Sequence, residues 1–97
     1  MPSKPQINES LHNAVSAEKI EEIKTIINSN INNIDNLDNK GMTPLLLALH
    51  RGNVTIITLL INSGANINWT DSKGDSYLHY CVSYSKYECL DFLLSKG

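Results

Sequence analysis

No apolar run in the chain approaches the roughly 20 residues that would cross a bilayer. The first residues, Met1 to Gln6, hold Pro2, Ser3, Lys4 and Pro5 rather than the apolar core of a secretory signal, and read as a frayed polar leader. Basic charge is also short: eight Lys and Arg against ten Asp and Glu leave a formal charge of −2 over 97 residues. Phosphate backbones are held by concentrated basic stripes, so nucleic acid is not an expected partner; Lys40, Arg51 and Lys73 make only a weak one.

Catalytic chemistry has few footholds. The two cysteines, Cys81 and Cys89, stand without a Cys or His pair at zinc-ligand spacing and without a sequence neighbour that would lower a thiol pKa, which marks them as reduced core thiols. The sequence contains no Gly-rich phosphate cradle, no Ser, His and Asp set in a supporting context, and no carboxylate pair embedded in apolar residues. The expectation is a protein without catalysis, cofactor or metal. The sequons at Asn8, Asn53 and Asn68 follow from a chain with twelve Asn and are not expected to be used.

What is present is a punctuated unit from Asp38 to Asn68. Gly41 suits the positive φ of a tight turn, Thr43 offers a capping hydroxyl, and Pro44 fits the first helical position, where no amide partner is needed. Leu45, Ala48 and Leu49 then recur at helical spacing up to Gly52. Val54, Ile56, Ile57, Leu59, Leu60 and Ile61 make a second apolar helix that ends near Gly64. The unit reads turn, helix, turn, helix.

The unit recurs. A shift of 33 residues carries Asp38 to Asp71, Gly41 to Gly74, Leu45 to Leu78 and Gly64 to Gly97. In the other direction, 34 residues carry Leu45 and Ala48 back to Leu11 and Ala14. The second helix of that first copy sets Ile20, Ile23, Ile26 and Ile27 against Glu18, Lys19, Glu21, Glu22 and Lys24, an amphipathic pattern with one wet side. Asn30 stands in the place of Gly64, where Asn tolerates the left-handed conformation that ends a helix.

With this period, and with Thr43, Pro44, Leu45, Leu46, Leu47 and Ala48 close to a Thr-Pro-Leu-His-x-Ala signature, the chain resembles the ankyrin-repeat family. The resemblance implies an all-α solenoid of about three helix-turn-helix repeats with short β-turn tips. Residues 7–37 form a degenerate first repeat, 38–70 the second and 71–97 a third, incomplete at its C-terminal end, all in a single domain. It also implies that His12 and His79, at the signature His position, bridge loop backbones between repeats. The partner would be a protein, met on the concave face built from turn tips and first helices.

By register, the positions facing that groove are Lys40, Met42, His50, Arg51, Thr70, Lys73, Asp75, Ser83 and Tyr84, with Trp69 just before the third turn. Arg51, Trp69 and Tyr84 are the strongest candidates, since Arg and aromatic residues are enriched among interface hot spots. The alternative reading makes the repeats an N-terminal targeting segment of a larger enzyme or effector. An intracellular setting is expected, either cytoplasmic or in the cytoplasm of a host. Finally, Tyr77, Leu78, Tyr80, Cys81, Val82, Tyr87, Cys89, Leu90, Phe92, Leu93 and Leu94 give the third repeat more apolar surface than one neighbour can bury, so further repeats or another chain are expected to cover it.

Overall fold

The computed structural model describes residues 9–29 and 34–96. The leader and Asn30 lie outside the described residues. Six helices follow in order: α1 (Glu9–Ser16), α2 (Ile20–Asn28), α3 (Pro44–Arg51), α4 (Val54–Asn62), α5 (Tyr77–Ser83) and α6 (Tyr87–Lys96). They form three hairpins, and the only β feature among the described residues is an isolated bridge between Thr70 and Ser76. The all-α repeat architecture read from the sequence is the one observed.

Each helix boundary has a local cause. Thr43 precedes α3 with extended backbone, its hydroxyl accepts the Leu46 N–H at 3.1 Å, and Pro44 takes the first position. Asn53 caps α4 in the same way, accepting from Ile56 N–H at 3.1 Å. The turn between the two helices of each hairpin needs one left-handed residue, and the register supplies three different ones: Glu18 (φ 56), Gly52 (φ 71) and Ser85 (φ 58). Only the middle repeat uses the residue type that adopts this conformation without cost.

The turn tips at 38–42 and 71–75 are built alike. Asp38 Oδ1 accepts the N–H groups of Lys40 (2.8 Å) and Met42 (3.0 Å), and Asp71 Oδ1 accepts those of Lys73 and Asp75, both at 2.9 Å. A backbone bond from Asp38 N–H to Met42 O (2.9 Å), matched by Asp71 to Asp75 (3.0 Å), closes each turn. Gly41 takes the positive φ expected of it, at 80°.

The first helices α1, α3 and α5 stack in one row and the second helices in another, with the first row packed more closely than the second. That difference bends the stack toward the first helices and places the concave side on them and on the turn tips. Val15, Ile23, Leu45, Leu49, Ile57 and Leu60 fill the space between layers. Cys81 and Cys89 are buried free thiols, in the register places of Ala48 and Ile56. Burial pushes Cys81 up to about 11 and raises Cys89 too, which suits core packing rather than reactivity.

Polar groups tie the repeats together: Asn53 Nδ2 donates to Glu18 at 2.9 Å, Asn66 N–H to Asp35, and two further contacts bear on the helix starts and loops. His12 donates from Nε2 to Met42 O at 2.9 Å, the loop-bridging role expected of it. Inside the stack, the Tyr77 hydroxyl shares a 2.6 Å hydrogen bond with the Thr43 hydroxyl, so the cap of α3 is locked by the next repeat. His79 departs from the expectation. It is exposed, its Nδ1 accepts the Ser76 N–H at 3.1 Å, and its hydrogen bonds stay inside its own repeat as a capping box.

The outer face of the third repeat carries the apolar excess read from the sequence. Leu45 is 1% exposed and its counterpart Leu78 is 39%; Leu49 is fully buried and Val82 is 55% exposed. Leu94, on α6, is also exposed.

Candidate partner-binding groove

The concave side holds a hollow of about 380 Å³ between the second and third turn tips. Its position follows from the stacking of two identical turns one repeat apart: each tip projects a Lys, and the helices behind them supply the floor. Six of the ten residues singled out in the sequence line it, namely Lys40, Met42, Trp69, Thr70, Lys73 and Tyr84. His50 joins through an edge-to-face contact with Tyr84, ring centroids 4.9 Å apart. Arg51 is exposed at the end of α3. Asp75 and Ser83 fall elsewhere, in a shallower hollow with Leu78, His79 and Val82 on the outer face of the third repeat.

Trp69 has two roles. It is half-buried and stacks on Tyr77 with ring centroids 5.1 Å apart, which covers the base of the turn, and its remaining surface forms part of the hollow. Tyr84 in turn leans on Tyr80, with centroids 5.6 Å apart. A continuous aromatic wall therefore runs from His50 through Tyr84 to Tyr80.

Tyr80, Leu37, Leu46 and Asp71 line the hollow without having been singled out. One signal was available. All six aromatic residues of Phe, Trp and Tyr type lie between Trp69 and Phe92, a concentration that core packing of similar repeats does not require.

The electrostatics are set by Asp71. Its Oδ1 accepts two backbone N–H groups, and its Oδ2 accepts the Tyr80 phenol. The Tyr80 hydrogen bond, followed by the bond from Asp75, holds the Asp71 carboxyl below its ordinary value, while the same phenol is pushed up to about 12. Lys73 adds a weaker charge effect in the same direction, and neither Lys40 nor Lys73 forms a salt bridge among the described residues. The hollow presents cations, amide and hydroxyl groups and aromatic faces, with its only lining carboxylate engaged. Among the described residues no three His, Cys, Asp or Glu side chains converge as a metal site would need, and no helix is long and apolar enough to cross a membrane.

Stacked helical hairpins with a concave side of turn tips and first helices define a repeat solenoid, a class whose working surface is the face shared between repeats. A family model described as ankyrin repeats, in three copies, matches residues 11–97, and the chain belongs to the ankyrin-repeat family. Ankyrin repeats are in general protein-interaction modules. Among similar proteins is the phosphocholine transferase AnkX of Legionella pneumophila, 34% identical over 80 residues, covering 82% of this chain and 8% of that protein. Another is the human neurogenic locus notch homolog protein 2, 32% identical over 87 residues, covering 90% of this chain and 4% of that protein. The chain thus spans less than a tenth of the length of either relative. A chain in the solved complex of the Bd0816 predatory endopeptidase from Bdellovibrio bacteriovorus with immunity protein Bd3460 shares the fold. There the TM-score is 0.81 at 24% identity, over 95% of this chain and 48% of that one.

Proposed function

We propose that this chain is a protein-recognition module that binds a partner protein through its concave face and performs no catalysis. The observation that carries the reading is the hollow between the second and third turn tips. Five side chains chosen by register, and Trp69 chosen beside the third turn, line it together, between the tips on the side of the more closely packed first helices. The module is one domain divided at 7–37, 38–70 and 71–97, and it works in a reducing intracellular compartment, where free thiols such as Cys81 and Cys89 persist. A second reading is favoured by the relatives. Two of them are named as enzymes, a phosphocholine transferase and an E3 ubiquitin-protein ligase, of which this chain matches 8% and 5%. In that reading the repeats are the N-terminal part that targets a larger enzyme or effector.

The test is capture of a partner from source-cell extract by the immobilised chain, followed by an affinity measurement on the captured protein. Replacing Arg51 and Tyr84 together by Ala is expected to weaken binding by about 2 kcal/mol or more, roughly thirtyfold, with little change in stability. Equal loss on replacing Glu21 and Glu22, on the exposed side of α2, would place the site away from the concave face and refute the proposal.

A further inference from the structure

The hollow has a chemistry of its own, beyond belonging to a binding face. Charge on this protein is unevenly placed. Three of the four carboxylates near the tips are occupied by the fold: Asp38 and Asp71 each hold their own turn, and Asp35 accepts the Asn66 N–H at 3.0 Å, while the fourth, Asp75, lines the outer-face hollow rather than this one. The exposed carboxylates Glu21, Glu22, Glu88 and Asp91 stand on the second helices, away from the concave side. Lys40 and Lys73, both exposed, line the hollow with no salt bridge among the described residues, Lys73 acting only through space on Asp71, inside a chain that is acidic overall. Beside them the wall is apolar and aromatic, from Leu37, which is 57% exposed, to Trp69 and Tyr84.

Building on the reading of the concave face as a protein-binding surface, we propose that this hollow receives an extended acidic segment of the partner. A Glu or Asp carboxylate lies between Lys40 and Lys73, and the neighbouring apolar side chain rests on Trp69 and Tyr84. The geometry favours this occupant over others. At about 380 Å³ the hollow is at the small end of ligand clefts, roughly 300–1,000 Å³, which fits a side chain with its flanking backbone and not a whole helix. A basic segment would meet two ammonium groups and find Asp71 already engaged by three donors. A nucleic acid would find two lysines where a phosphate-binding surface needs a stripe.

Three short capped peptides, identical except for Glu-Leu-Glu, Gln-Leu-Gln or Lys-Leu-Lys at the centre, provide the probes. Trp69 provides the signal, being the only Trp and part of the wall. The Glu peptide is expected to bind about fivefold tighter than the Gln peptide at low salt, the fold-change of two exposed ion pairs. It should shift Trp69 emission, and the preference should vanish at high salt. In the Lys40→Glu, Lys73→Glu double variant the order should invert in favour of the Lys peptide, with the helical circular dichroism of the parent retained.

Equal binding of the Glu and Gln peptides would overturn the proposal. So would tighter binding of inorganic phosphate or of a short DNA duplex than of the Glu peptide, since that would make the lysines a phosphate site. The double variant also separates this proposal from the broader one. Unchanged partner capture by it, together with loss of capture by the Arg51→Ala, Tyr84→Ala variant, would remove the acidic segment and leave the concave face standing.

Discussion

Leu49 and Val82 occupy the same place in consecutive repeats, and the stack treats them differently. Leu49 has no exposed surface, lying on α3 between the first and third hairpins, whereas Val82 on α5 is 55% exposed. Replacing Leu49 by Ala removes three buried carbons, about 2.4 kcal/mol of transfer free energy at about 0.8 kcal/mol per group. A cavity term adds to this, because helices held on both sides close only partly, so the total is expected at about 3–4 kcal/mol. For a small domain stable by roughly 5–15 kcal/mol, that is a large share. Val82→Ala removes two carbons that are more than half in water already. It also gains from the higher helix propensity of Ala, by a few tenths of a kcal/mol, so its net effect is expected below about 0.5 kcal/mol. Urea denaturation followed by circular dichroism, at several protein concentrations, measures both. The stack predicts a clear fall in midpoint for Leu49→Ala at nearly constant slope and almost none for Val82→Ala. Equal losses at the two positions would refute the reasoning, since Val82 would then be as covered in solution as Leu49.

Two further predictions concern single side chains. The Tyr80 phenol, raised to about 12 from 10.0 chiefly by its bond to Asp71, contributes stability present below pH 10 and lost as pH rises through about 12. Asp71, lowered from 3.8, contributes stability lost only as pH falls below that value. Phenolate absorbance should therefore show two late-titrating phenols, Tyr77 held up by burial and Tyr80 by Asp71, of which one disappears in Tyr80→Phe, and an unchanged titration would contradict the Asp71 contact. Ser85→Gly, at a left-handed position (φ 58), is expected to stabilise by about 0.5–1 kcal/mol, because the relief of strain exceeds the entropy glycine adds to the unfolded chain; a lower denaturation midpoint would show that the turn is not strained.

The elements that were readable in the sequence are those whose residue types have one physical use. Thr43, Pro44 and Gly52 bracket α3 because a cap, a fixed φ and a positive φ leave few alternatives, and the structure places them at those positions. The 33-residue register then extended this to the third repeat, including the burial of Cys81 and Cys89. What was not readable depends on a neighbour rather than on the residue. Glu18 and Ser85 give no sign of positive φ, since the stack imposes it on them. His79 carries the same signature as His12, yet His12 meets Met42 O and the exposed ring of His79 bonds to Ser76. The groove residues follow the same division. Tip residues such as Lys40 and Lys73 are found by register, while the bond that ties Tyr80 to Asp71 requires knowing that the second turn of α5 stands over its own tip.

The repeated frame and the groove thus follow different rules within one sequence. Residues that build the frame recur: Asp38 and Asp71 tie their turns, and Leu45, Leu49 and Ile57 have apolar counterparts in Leu78, Val82 and Leu90. The aromatic residues that shape the hollow do not. One period before Trp69 stands Asn36, one period before Tyr80 stands Leu47, and one period before Tyr84 stands Arg51. Mutation toward the repeat pattern at these three places would remove the aromatic wall and leave the backbone bonds of the 71–75 turn, at the loss of the Tyr80–Asp71 bond and the Trp69–Tyr77 stack. The wall is therefore set by residues that break the repeat pattern, although Trp69 also stacks on Tyr77 and Tyr80 also bonds to Asp71. A partner would meet aromatic surface there that the recurring frame does not supply.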